Sequence, residues 1–162
     1  MRPDRPASLD ELRRDRMHTV PGSANDRAKA ARATFDQARD FRRAAISNMD
    51  EGLRLPAISA LHEAARLAVT AVAALDGYRF SNKAGAHEAV VDYALAIQLV
   101  DRKQYAQLDQ LRDLRHHVNY PEDLISPSSR ETEQYNQLVD TILALAQNRL
   151  PTRRVPPPPK QR

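Results

Sequence analysis

The stretch from Pro56 to Gly77 constrains the fold more than any other. Ile58, Leu61, Ala65, Ala68, Val72 and Leu75 follow one another at steps of 3, 4, 3, 4 and 3. That spacing lays an apolar stripe along one side of an α-helix and does not suit a strand, whose side chains alternate between faces. Ala57, Ala60, Ala64, Ala71, Ala73 and Ala74 surround the stripe, and such small residues let neighbouring helices approach closely. Pro56 falls in the first turn, where a missing N–H costs nothing. Gly77 after Asp76 offers a helix stop.

The flanking segments carry the same period. Ala28, Ala31, Phe35, Ala38, Phe41, Ala45 and Met49 predict a long helix over 24–49, entered after the break at Pro21-Gly22 and ended by Gly52. A loop over 78–85 leads to a helix over 86–100 with Val90, Ala94 and Ile97 inward. A further helix over 102–118 carries Tyr105, Leu108, Leu111, Leu114 and Val118, and must end before Pro121. Ser128 or Ser129 caps a last helix to Arg149, with Tyr135, Leu138, Ile142 and Leu145 as its stripe. No segment has convincing strand alternation. The expectation is an all-α chain, an antiparallel four- to five-helix bundle over 23–150. Residues 1–22 form an arm whose Ser8 and Glu11 make a capping-box pattern for a short helix over 9–17. Residues 151–162, with Pro156 to Pro159, form an extended basic tail. Neither end has a sustained apolar stripe, so both are expected to be dispensable for folding.

Composition excludes several chemistries. The chain has no cysteine, which removes disulfides, thiolate metal sites, iron–sulfur clusters and cysteine nucleophiles. The most apolar stretch is interrupted by His62, Glu63 and Arg66, so no membrane span is expected, and the charged start (Arg2, Asp4, Arg5) does not resemble a secretory signal. A cytoplasmic location is the expectation. The net charge of +4 sits at the ends, because residues 23–149 hold 16 basic and 17 acidic side chains. No basic run marks a non-specific nucleic-acid surface.

Familiar site patterns are missing. There is no glycine-rich phosphate loop and no Gly-x-Ser-x-Gly. His62-Glu63 is followed four residues on by Arg66 rather than His, so the helical metalloprotease spacing fails. His87-Glu88 with Asp92, and the pair Asp36/Asp40, suit solvated helix surfaces. No metal and no cofactor are expected.

The segment from Leu111 to Pro121 is different. Arg112, Asp113, Arg115, His116, His117, Asn119 and Tyr120 crowd one helix end. At about 100° per residue, Arg115, His116 and Asn119 fall within about 60° of Arg112, whereas His117 lies about 140° away unless the helix bends. RNA cleavage by its own 2′-OH needs an acid or base working near neutrality, which histidine supplies. It also needs a cation beside the developing phosphorane charge, which arginine supplies. The plainer reading pairs the arginines with Asp109 or Asp113 and leaves the histidines at the C-terminal end of the helix dipole.

A helical chain with Arg-polar-x3-His near the end of a late helix resembles the HEPN domains, named for higher eukaryote and prokaryote nucleotide binding. Arg112, Asp113 and His117 fit that pattern. The alanine-rich segment from Ile58 to Ala64, Asp76 to Arg79, and Lys83 to His87 also look like the family's middle helices and the loop between them. The resemblance spans roughly 24–149. It implies a metal-independent endoribonuclease acting as a homodimer, with Arg and His of both subunits in one cleft. The setting it implies is a toxin–antitoxin or phage-defence system, often with a nucleotidyltransferase antitoxin as partner. Arg112 would bind the scissile phosphate, His117 or His116 would move the proton, Asp113 would orient its neighbours, and Arg115, Asn119 and Tyr120 would contact single-stranded or loop RNA.

Two departures bear on this. Toxin members often carry a modifiable Tyr two positions after the His, whereas Tyr120 is three positions after His117. A second register, Arg115-His116-x2-Asn119-Tyr120, resembles members that have lost the nuclease, with Asn119 where the His belongs. The rival functions are therefore a catalytically inactive module that binds a nucleotide or partner protein, and a structural dimer whose Arg/His patch closes an interface.

Overall fold

A computed structural model describes residues 5–119 and 126–152; for Asn119 it describes the backbone alone. Among these residues six helices and two short strands run in the order α1 (Leu9–Asp15), β1 (Met17–Thr19), α2 (Ala24–Asp50), α3 (Arg54–Leu75), β2 (Tyr78–Phe80), α4 (Ala86–Ala96), α5 (Arg102–Asn119) and α6 (Ser129–Arg149). The fold is all-α apart from that strand pair.

Helix starts are set by reciprocal caps. Ser8 with Glu11, Ser23 with Asp26, and Ser128 with Glu131 each form a capping box, satisfying donors that the first helical turn leaves unpaired. Asp101 and Gln104 exchange the same bonds at the head of α5, at 2.9 and 2.8 Å. Gly77, at φ 87°, takes the left-handed conformation that stops α3.

Helix α3 is the centre of the bundle, with α2 along one side and α4, α5 and α6 on others. Ile58, Leu61, Ala65, Ala68 and Val72 are buried as their spacing requires, and Leu67, Val69, Ala71 and Ala73 are buried too. Among the described residues α3 is the one helix long and apolar enough to cross a membrane, with a mean hydropathy of 1.3, but 67% of that window is buried inside the domain.

Three features depart from the sequence expectation. First, β1 and β2 pair antiparallel, Met17 opposite Phe80 and Thr19 opposite Tyr78. Strands of three residues are too short to show an alternating pattern. Second, the arm is docked: Leu12 and Met17 lie in the core at 1% and 4% exposure, and the Ala7 N–H donates to Asp92 Oδ2 at 3.1 Å. Third, α4 ends at Ala96, not near 100. Gln98 adopts φ 56°, and the N–H groups of Leu99 and Val100 both turn back to the Ala94 carbonyl. Both side chains are buried in this turn. Pro156 to Pro159 lie outside the described residues.

Candidate nucleic-acid site

Where α3, α4 and α5 meet, a cavity of about 230 Å³ is lined by His62, Gly85, His87, Glu88, Arg112, Arg115 and His116. Helix α5 is regular through Asn119, so Arg112, Arg115 and His116 stay on one face, as 100° steps require. His117 is half-buried and is not on this wall. Its ring centroid is 6.1 Å from that of His116. Asp113 is exposed, does not line the cavity, and pairs with Arg112 Nη2 at 2.7 Å. The side chain of Asn119 and all of Tyr120 lie outside the described residues. Asp36 and Asp40 are exposed. Asp92 is buried and accepts from the Tyr105 hydroxyl at 2.9 Å as well as from Ala7, a structural duty rather than a site role.

The two arginines differ in how tightly they are held. Arg112 Nε donates to Asp109 at 3.0 Å, its Nη2 meets Asp113, and its Nη1 lies 3.6 Å from Glu88. Three carboxylates thus surround one guanidinium. The ion pair of Arg115 is looser, 3.8 Å to Glu63 Oε1. Glu63 is bound mainly by Arg66, whose Nε and Nη2 reach Oε2 at 2.9 and 2.7 Å.

Residues whose sequence pattern suggests only a failed metal spacing or a solvated helix surface complete the site. His62 is 3% exposed on α3 and faces His87 of α4, with ring centroids 5.3 Å apart. A second cavity of about 640 Å³ shares Gly85 and His87 with the first and is lined by Arg66, Arg79, Lys83, Phe80 and Glu63 among others. That volume is in the range of ligand sites, about 300–1,000 Å³. Together the two cavities gather Arg66, Arg79, Lys83, Arg112 and Arg115 against Glu63 and Glu88. The positive surface missing from the linear sequence is assembled by the fold. Gly85, at φ 83°, sits at the junction; a Cβ there would come within 2.8 Å of Arg16 Nη1, which donates to the Ala84 carbonyl.

Burial pushes the His62 and His87 imidazoles below their ordinary value of 6.5, so both are neutral at pH 7. Arg115 and Arg66 push the same way. Burial acts to raise the Glu63 carboxyl, but His62 and Arg66 outweigh it and hold it at about 2, against 4.5 ordinarily. The Arg66 contact is the firmer of the two, since Glu63 Oε1 stands 3.4 Å from His62 Nδ1 and that nitrogen has no aligned hydrogen bond. These shifts set a pH response. The Glu63 contribution to stability is complete above pH 4.5 and lost as pH falls towards 2. The neutral His62 costs stability once the unfolded chain protonates, below pH 6.5. Glu63→Gln should therefore flatten the acid limb of a urea-midpoint profile between pH 4.5 and 2; an unchanged limb would contradict the pairing.

Among curated proteins none matches the chain significantly. A family model for the HEPN domain matches residues 31–149, which include α3, α4 and α5 with every residue of the Arg/His cavity. By that match, and by the helical bundle it accompanies, the chain belongs to the HEPN domain family.

Proposed function

We propose that this HEPN domain binds and cleaves single-stranded or loop RNA without a metal, in the setting of a toxin–antitoxin or phage-defence system. The observation that carries the reading is the convergence of Arg112, Arg115 and His116 on one cavity that opens into a basic groove. Arg115, the less restrained cation, meets the scissile phosphate and offsets the charge that grows on it. His116 takes the 2′-OH proton as that oxygen attacks phosphorus. The 5′ oxygen departs and is protonated by an imidazolium or water, leaving a 2′,3′-cyclic phosphate and a 5′-OH. Asp109 and Asp113 fix the Arg112 fork, and Arg66, Arg79 and Lys83 receive neighbouring phosphates. Asn119 and Tyr120 would contact the substrate, as the family resemblance implies. His117, off this wall, is the residue that a second copy would bring into use in a shared cleft.

One observation favours a second reading. The three carboxylates around Arg112 compete with phosphate for its donors, which suits a module that binds a nucleotide or RNA without cutting it. Incubating the purified chain with labelled single-stranded RNA in EDTA separates the two. Cleavage supports the nuclease; retention of intact RNA on the protein supports the binding module; neither outcome in the presence of a verified fold removes RNA as the ligand.

A further inference from the structure

Between the Arg/His cavity and its neighbour lies a donor set that the proposed RNA cleavage does not use: His62 lines the first, Glu63 the second and His87 both. His62, Glu63 and His87 each present a ligating atom, and these atoms lie within 4.8 Å of one another. His62 is 97% shielded by its 3% exposure, and its Nδ1 is buried without a hydrogen-bond partner among the described residues, as is Nδ1 of His87. Leaving such nitrogens unpaired in a protein interior is costly, and that of His62 stands 3.4 Å from Glu63 Oε1.

We propose that His62, Glu63 and His87 form a binding site for a zinc-class divalent cation, distinct in its ligands from the arginine–histidine wall above it. Two imidazoles and one carboxylate are a donor set used for zinc with a fourth position left open. Imidazole coordinates a metal through a ring nitrogen that carries no proton, and each of these rings has a buried nitrogen without a hydrogen-bond partner among the described residues. Glu63 can serve without giving up Arg66, because Arg66 holds Oε2 while Oε1 is the atom near His62. Tetrahedral coordination at about 2.0–2.2 Å from each donor sets donors about 3.4 Å apart, which His62 Nδ1 and Glu63 Oε1 already are, and the His87 donor lies within 4.8 Å of the other two ligating atoms. Arg66 and Arg115, the latter 3.8 Å from Glu63 Oε1, add positive charge that opposes any cation there and favours an anionic fourth ligand. With imidazole as the majority donor, zinc, cobalt and nickel should bind and magnesium should not compete. The ion would tie α3 to the start of α4.

The test uses the full chain, stripped with EDTA, dialysed, and titrated with Co²⁺ and then Zn²⁺. One Co²⁺ per chain should bind with the visible absorption of a low-coordinate nitrogen–oxygen site, Zn²⁺ should displace it, and Zn²⁺ should raise the melting temperature. His87→Gln and Glu63→Gln should each weaken binding at least tenfold, while His18→Gln, on exposed β1, should leave it unchanged. His87 is only half-buried, so its variant should keep the wild-type circular dichroism even where a change at His62 disturbs the core. Absence of stoichiometric binding, or binding unaffected by His87→Gln, overturns the proposal. The titration contains no RNA, so its outcome is independent of the nuclease reading.

Discussion

Arg115→Ala and His116→Ala should each reduce RNA cleavage by about 100- to 10,000-fold while leaving the fold intact. That is the range for loss of one acid–base group or one preorganised charge on a developing oxyanion. Both side chains line the cavity and neither is fully buried, so their removal leaves no large core void. Arg112→Ala should be as damaging but for a mixed reason. It takes a cation from the cavity and also releases Asp109, Asp113 and Glu88, whose charges would then repel phosphate. A modest loss of stability should accompany it, because breaking a partly buried pair strands the other charge. His117→Ala should be mild in a monomeric assay. If His117→Ala is inactive and His116→Ala active, the working histidine is supplied across a dimer, and a sedimentation mass twice the chain's 18.3 kDa should be found with it.

Deleting residues 1–20 should lower the melting temperature by on the order of 10 °C or more. The arm carries Leu12 and Met17 into the core, and burying two such side chains contributes about 1.5–3 kcal/mol each. It also supplies β1 and the bonds from Ser81 N–H to the Arg16 carbonyl at 2.9 Å and from Val20 N–H to the Gly77 carbonyl at 2.8 Å. For a domain of this size each kcal/mol moves the melting temperature by about 2–4 °C. Leu12→Ala alone should cost about 2–5 kcal/mol in urea unfolding. A truncated chain that melts within about 2 °C of the full one would mean that the arm's contacts are not formed in solution. The arm is also coupled to the site, since Arg16 reaches the Ala84 carbonyl beside Gly85.

What the sequence reveals and what it hides follow from the range of the interactions involved. Helix stripes and caps are local: the 3/4 spacing from Ile58 to Leu75, the Ser8–Glu11 box and the Gly77 stop all lie within a few residues. The face shared by Arg112, Arg115 and His116 is equally local, being set by helical rise. Leu12 and Met17 escape notice because two apolar residues in a charged arm make no stripe; only docking against the bundle gives them a role. His62 and His87 belong to different helices and face each other only because α3 and α4 pack together. The basic groove has the same origin, since Arg66, Arg79 and Lys83 share no run with Arg115 and meet it through the turn at Gly85. The clamp on Arg112 is half local, from Asp109 and Asp113, and half tertiary, from Glu88.

The most direct measurement offers the purified chain, in EDTA, a single-stranded RNA that it cuts and the same RNA with a 2′-deoxynucleotide at the cut position. In the proposed mechanism arginine and histidine act on the substrate's own 2′-OH as nucleophile. The account predicts cleavage of the first with 2′,3′-cyclic phosphate ends and none at the deoxy position of the second. Equal cleavage of both, or cleavage that appears only when a divalent metal is added, would contradict it.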